Sequence, residues 1–344
     1  VSIALLVPGP FGTVSGGYGY DRRLVEGFRA LGEAVEVVEL AGRHPLPDAV
    51  AEAAARAALD AVPEGVRIIV DGLGLPAFAP LADALAARGA VGLIHHPTAL
   101  EGETSQREAL RAIEGALFPR MPRLVATSRL TAERLIRDFG VQAGRVGVVE
   151  PGTDPAPRAR GSGGPGVAVL SVGTLIPRKG HDVLLRALAG ILDVDWRLTI
   201  VGAARDAACA EALRGLATEL GVAERVDFAG EVTGPALEAL YGGADAFALA
   251  SHWEGYGMVV AEALARGLPV SVTAGGALGD LVPLEAGSVS PPGDVVSLTK
   301  ALRRVLFDAE LRGAMAEAAW AAGQRLPRWD DRAGAFLAEM GRVA

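Results

Sequence analysis

The sequence predicts an α/β protein built from two doubly wound domains, and three observations carry that prediction. Short apolar runs alternate with longer segments of helical period along almost the whole chain. The alternation stops once, at Pro155–Gly166 (PAPRARGSGGPG), and then restarts. A length of 344 residues, 50% of them hydrophobic, suits two ordinary domains, each with its own core.

In the first half, strands are read at Ile3–Val7, Val66–Val70, Val91–Ile94, Leu124–Thr127 and Val146–Val149. Helical patterns lie between them, near Gly17–Leu31, Asp48–Val62, Ala77–Arg88, Glu103–Leu117 and Thr131–Phe139. Strands alternating with helices imply a parallel sheet covered on both faces. The domain is expected over residues 1–155, followed by a linker at 156–166 that is rich in Pro and Gly and lacks an apolar period.

The second domain is expected over 167–325. Its strands are read at Val167–Val172, Arg197–Val201, Val226–Ala229, Ala246–Ala250 and Val270–Val272. Helices follow near His181–Leu192, Ala207–Leu220, Pro235–Tyr241, Met258–Arg266, Val295–Phe307 and Glu310–Ala322. Pro327 and Trp329 break the run, leaving a terminal helix in 326–344, read at Asp331–Met340, that is expected to cross back onto the first domain. Two such domains are expected to face across a cleft at the carboxyl ends of their strands.

Composition narrows the function. The net charge of −8 and the lack of a long basic run argue against a nucleic-acid track. No apolar stretch reaches the length of a membrane span. The first residues enter a strand with no basic n-region, and the single cysteine, Cys209, excludes an internal disulfide; a cytoplasmic location is expected. Only Lys179 and Lys300 are lysines, the other 31 of the 33 basic residues being arginine. A lysine retained at Arg178-Lys179-Gly180 in that background suggests a place for a compact ammonium.

The most informative segment is SHWEGYGMVVAE at 251–262. Glu254 falls in a loop entering an apolar helix, and Glu262 about one turn inside it. Gly255 and Gly257 let the backbone pass close to a ligand, and the amides of Gly257, Met258 and Val259 form an anion site at the helix start. Carboxylates on either side of an anion site suit a ligand with both phosphates and hydroxyls, such as a nucleotide sugar. Glutamates near a helix start also favour the helix dipole, which is the structural alternative.

SVGTLIPRKGH at 171–181 places Gly173 in a turn after a strand, then Arg178 and Lys179 before a helix. Cations at a helix start oppose the dipole unless an anion is present, so the pair suits a diphosphate. Ser15-Gly16-Gly17 precedes a helix as a glycine loop that can approach phosphate or sugar, though without G-x-G-x-x-G order. His95-His96-Pro97 lies at a strand's carboxyl end. His95 there could contact a sugar, do acid–base work or cap the strand; no second His or Cys cluster offers completing ligands, so a metal is not expected. Asp193-Val194-Asp195 sits at the amino end of a strand and reads as a solvated turn.

With these segments in place the chain resembles a retaining glycosyltransferase of the two-Rossmann (GT-B) type, family 4. The resemblance rests on the E-x7-E element Glu254–Glu262 and the G-x-L-x-x-x-K-G-like segment Gly173–Gly180. Gly16-Gly17, His95, Thr127-Ser128, Pro151-Gly152-Thr153-Asp154 and the Gly275-Gly276 loop followed by Asp280 support it. It implies that Glu262 binds the donor ribose and that Glu254 contacts the donor sugar or its phosphate side. Lys179, Arg178 and the amides of Gly257 to Val259 hold the diphosphate, Gly17 approaches phosphate and acceptor, and His95 faces the transferred sugar. Thr174 stands where the family often has Arg, and Arg178 is the substitute.

The function implied is transfer of a hexose from a UDP- or GDP-hexose to the hydroxyl of a glycan, lipid or small molecule, with no cofactor and no metal. The alternatives are a nucleotide-sugar epimerase on the same plan and a non-catalytic nucleotide-sugar binder. A phosphorylase needs a cofactor lysine and is disfavoured by the two lysines present. The helix at Glu103–Leu117 mixes Arg with apolar residues; a solvated face is the ordinary reading, and peripheral contact with a lipid acceptor the other.

Overall fold

The computed structural model describes residues 2–100 and 104–343. The chain divides into two compact units, Val1–Gly152 with Pro327–Ala344, and Thr153–Leu326.

The first unit begins β1 (Ile3–Pro8), α1 (Gly16–Ala30), β2 (Val35–Leu40), α2 (Ala49–Ala61), β3 (Arg67–Asp71) and α3 (Ala82–Ala87). It continues β4 (Val91–Ile94), α4 (Thr104–Leu117), β5 (Arg123–Ala126), α5 (Arg129–Phe139) and β6 (Val146–Val148). The six strands are parallel in the order β2-β1-β3-β4-β5-β6. The order in which strands are added reverses between β1 and β3, so the crevice beyond their carboxyl ends is the natural ligand position. Every residue of β1 and β4 is buried, as an apolar strand covered on both faces requires.

Two differences from the sequence reading have local causes. β2 (VEVVEL) was not anticipated: it is an edge strand, half exposed, and its glutamates break the apolar run. The helix expected over Ala77–Arg88 is instead a 3₁₀ turn, Leu75–Leu81, followed by α3. Pro80 within the turn cannot donate a helical hydrogen bond. Glu103, expected to start the helix at 103–117, lies outside the described residues.

The second unit runs β7 (Val167–Val172), α6 (His181–Ala189), β8 (Trp196–Val201), α7 (Ala207–Glu219), β9 (Val226–Gly230), α8 (Gly234–Gly242) and β10 (Ala246–Leu249). It ends α9 (Met258–Ala265), β11 (Val270–Thr273), α10 (Leu278–Leu281), β12 (Gly287–Ser290), α11 (Val295–Phe307) and α12 (Ala309–Gly323). The order β12-β11-β10-β7-β8-β9 is the doubly wound dinucleotide-fold order read from β7, with its switch point between β7 and β10. β12 (GSVS) was also missed; it is a short edge strand without an apolar run.

The segment expected as a linker has no helix or strand, but it is tied to the second unit. Ala159 N donates to Arg266 O and Arg160 N to Gly242 O, both at 2.9 Å, and Ser162 Oγ donates to Asp245 at 2.7 Å. The terminal helix α13 (Arg332–Met340) packs on the first unit. Phe336 meets Phe28 edge-on at 5.8 Å, and a side chain at Gly27 would strike Ala333. Beneath it Glu339 forms a buried ion pair with Arg123 of β5.

Candidate functional site

In the second unit, β7 ends in Gly173, and the chain turns through a 3₁₀ segment, Pro177–Lys179, before α6. Gly180 between them has φ +60°, and a Cβ there would strike the carbonyl of Ala250 at the end of β10. The loop therefore lies directly against the strand across the switch point. His252 N donates to Arg178 O at 2.8 Å and locks the two loops together.

This contact brings Arg178 and Lys179 to Glu254. Lys179 Nζ lies 2.6 Å from Glu254 Oε1, and Ser251 Oγ donates to the same oxygen at 2.6 Å. Arg178 Nη1 donates to the carbonyl of Trp253 at 2.6 Å and is 3.6 Å from Glu254 Oε2. Burial alone would raise the Glu254 carboxyl, but the charges of Lys179 and Arg178 outweigh it and hold it below its usual range. The three side chains carry one net positive charge, which suits an anionic ligand.

Gly275 and Gly276 complete this corner. Gly276 has φ +67°, and a Cβ on it would strike the backbone of Glu254; one on Gly275 would strike Ser251 and His252. Glu254 N donates to Gly275 O at 3.1 Å, and Ala277 N to Glu254 O at 3.0 Å. Gly173 packs on the Lys179 stem, 3.2 Å from an added Cβ to Cδ. His181, buried at the head of α6, has Nε2 3.2 Å from Gly173 O and 3.3 Å from Thr174 O. Burial pushes this imidazole down to about 4, so it is neutral and donates to both carbonyls.

α9 begins after Gly257 (φ +100°), and its first backbone bonds run from Val260 and Ala261 to Gly257 O. Gly257, Met258 and Val259 thus occupy the donor positions that a helix start leaves unbonded internally. Glu262, one turn on, lies in a separate polar cluster: Tyr241 Oη donates to its Oε2 at 2.9 Å. Burial raises the Glu262 carboxyl, opposed by the Tyr241 hydrogen bond and the Arg266 charge. The two glutamates of the motif therefore sit in opposite electrostatic settings.

In the first unit Ser15 caps α1 by accepting from Tyr18 N at 3.3 Å, with Gly16 and Gly17 as the first helical residues. A Cβ on Gly17 would lie 3.3 Å from His95 Cδ2, whereas Gly16 faces open space. His95 Nε2 is 3.1 Å from Asp21 Oδ1 and 3.3 Å from Asp71 Oδ2. Its carbonyl accepts from Thr127 Oγ1 at 3.1 Å, and Tyr20 stands edge-on to the ring at 5.3 Å. Burial alone would lower the imidazole, but the two aspartates raise it to about 10, so Nε2 carries a proton and the ring a positive charge. Burial and the neighbouring Asp71 raise Asp21 to about 6.

Asp21 and Asp71 were not singled out in the sequence. Asp71 carries a usable signal, a carboxylate at the end of an apolar strand; Asp21, inside α1, carries none. With these two carboxylates, a ligand set for a metal needs no second His or Cys. Two carboxylates and a ring nitrogen with ligand atoms within 4.8 Å of one another have the donor set for a divalent ion, although their spacings are also those of hydrogen bonds.

Asp193 pairs with Arg303 on the surface, as a solvated turn should. Asp280 is exposed on α10, and Cys209 is half-buried in α7. Among the described residues, no helix is long and apolar enough to cross a membrane.

Residues 157–321 match the family described as Glycosyl transferases group 1. The second unit carries a group 1 glycosyltransferase domain. D-inositol 3-phosphate glycosyltransferase of Thermomonospora curvata is 35% identical over 203 residues, 52% of this chain and 47% of that protein. The alignment thus spans about half the length of this curated relative. Sucrose-phosphate synthase from Thermosynechococcus elongatus superposes with a TM-score of 0.82 at 21% identity, covering 99% of this chain and 100% of that one. Anabaena Alr3699/HepE, solved in complex with UDP and glucose, gives 0.79 at 17% identity, covering 99% and 100%. These likenesses fix the fold as two Rossmann-like α/β units of the GT-B type.

Proposed function

We propose that the chain is a retaining glycosyltransferase that moves a hexose from a nucleoside-diphosphate sugar to an acceptor hydroxyl. The observation that carries this reading is the Lys179–Glu254 ion pair at the β7/β10 switch point, flanked by Arg178 and the α9 start. The second unit is the donor domain in this reading, and the first the acceptor domain.

Breaking the sugar–phosphate bond leaves an oxocarbenium-like sugar and a diphosphate whose charge grows as the bond breaks. Lys179, Arg178 and the amides of Gly257, Met258 and Val259 stabilise that charge, a role that needs no metal. Glu254 orients Lys179 and meets the donor sugar, and Glu262 takes the ribose hydroxyls. Gly173 lets the Lys179 stem lie close against the loop. In the first unit Gly16 and Gly17 admit the ligand to the His95 face. The charged ring, its Nε2 committed to Asp21 and Asp71, offers Nδ1–H to an oxygen of the transferred sugar.

The names of the relatives supply UDP and, among acceptors, an inositol phosphate as ligands to try; GDP and ADP complete the nucleotide panel. The test is a melting screen with these nucleotides and their sugars, then a transfer assay with and without chelator. A donor bound at a hundred times its Kd should stabilise the fold by about 2.7 kcal/mol. Nucleotide release that depends on acceptor and survives chelator supports the proposal. Isomerised donor without acceptor points to an epimerase, and saturable binding without turnover across a broad acceptor panel to a binder; either result overturns it.

A further inference from the structure

Tyr241 lies at the end of α8, 21 residues before Glu262, and is fully buried. Its ring is held on two sides. Phe247 of β10 stacks on it at 6.1 Å with 12° between planes, and the Arg266 guanidinium lies 4.5 Å from its centroid. Arg266 is fixed in turn, donating Nη1 to Glu262 O at 2.9 Å and pairing with Glu238. The hydroxyl therefore has little freedom, and it donates to Glu262 Oε2 at 2.9 Å. A carboxylate held through one oxygen presents the other in a fixed direction.

We infer that Tyr241 is a positioning residue that locks Glu262, and that the Tyr241–Glu262 pair makes the site prefer ribonucleotides over their deoxy counterparts. This rests on the reading of Glu262 as the ribose contact. A carboxylate aimed by a rigid donor gains a strong hydrogen bond from a ribose hydroxyl only when that hydroxyl is present. A free carboxylate would have to be ordered by each ligand, and much of the discrimination would be lost. Burial and the Glu262 charge raise the Tyr241 phenol well above its ordinary value, so it stays a proton donor throughout the working pH range.

The test compares binding of UDP with 2′-deoxy-UDP and 3′-deoxy-UDP by calorimetry in the wild type, Tyr241→Phe and Glu262→Gln. The wild type should prefer UDP over at least one deoxy form by roughly tenfold or more. Tyr241→Phe keeps the ring and its stacking; it should weaken UDP, leave that deoxy form within about twofold, and level the preference. Glu262→Gln should level it as well, and adding Tyr241→Phe to it should change UDP binding less than twofold. Equal weakening of UDP and the deoxy forms in Tyr241→Phe would make Tyr241 a packing residue and overturn the inference. Should Tyr241→Phe not fold, a preference retained in Glu262→Gln overturns it, and a levelled one supports it. If the wild type binds none of UDP, GDP or ADP, the donor reading itself falls; if it binds UDP without preference, only the ribose inference does.

Discussion

In the first unit a histidine stands between two aspartates; in the second a glutamate stands beneath a lysine and an arginine. Both clusters lie at the carboxyl ends of parallel strands beside the switch point of their sheet, and both pack against glycines. Their charge patterns are inverted. With its ring protonated, the first cluster is a cation inside carboxylates; the second is a carboxylate inside cations with net positive charge. Burial acts against the charged group in each, and the neighbours decide the outcome. The doubly wound fold supplies the position, and the side chains brought there decide whether it suits hydroxyls or phosphates.

The largest expected effect tests the cationic side. Lys179→Ala and Glu254→Gln should each lower turnover by roughly 10²–10³-fold. Lys179→Ala also leaves a buried carboxylate with a weaker partner, so its melting temperature should fall further than that of Lys179→Ala/Glu254→Gln. Wild-type transfer rates in both single variants would end the assignment of this cluster to the leaving group.

Gly276→Ala comes next. It places a Cβ against the Glu254 backbone at φ +67°, and should cost about 1–3 kcal/mol of stability, or more with the clash. Turnover should fall in parallel with that loss, read by melting and by assay on the same sample. Gly215→Ala, on an open position of α7, is the control and should do neither.

Asp21→Asn breaks the inverted pattern in the first unit. Turnover should fall roughly tenfold, the worth of one charge-assisted hydrogen bond. The alkaline limb of the pH–rate profile should also move to lower pH, because His95 loses one of the two charges that raise it to about 10. An unchanged alkaline limb would mean that His95 does not act in its charged form.

The histidines also separate the units by pH. His95 has a folded value above the ordinary 6.5, so its contribution is complete below about 6.5 and is lost as pH rises through 10. Asp21 acts in the same sense between 3.8 and about 6. His181 has a folded value of about 4, so its contribution is present above 6.5 and is lost as pH falls through 4. That loss amounts to up to about 3 kcal/mol, and denaturant melts of His181→Gln should show a shallower acid limb than the wild type. The smallest effect belongs to Gly17→Ala, whose Cβ needs only a small shift of His95, at about 1 kcal/mol.

Much of the candidate site was legible because it is punctuated locally. Glu254, Arg178 and Lys179 stand out beside glycines at strand-to-helix turns, Glu262 as a lone acid within an apolar helix, and β1 and β4 through unbroken apolar runs. β2 and β12 were not legible, because an edge strand need not be apolar. α3 was misplaced because Pro80 changed the local turn. Asp21 gave no sign, since a single acid within a helix ordinarily faces water.

Taken alone, the sequence determined the alternation of strands and helices, the break between two α/β regions, and the residues with chemistry at the turns. These are encoded by neighbours a few positions apart, through periodicity, glycine and proline. The partners were left to the tertiary structure. Lys179 and Glu254 are 75 residues apart, and His95 and Asp21 74. Such pairs meet only when parallel strands bring distant loops to one end of a sheet. Burial there removes the water that would have screened them. Contact with Lys179 and Arg178, outweighing the cost of desolvation, made one glutamate of the motif a stable anion among cations, and tertiary contact gave the other a tyrosine.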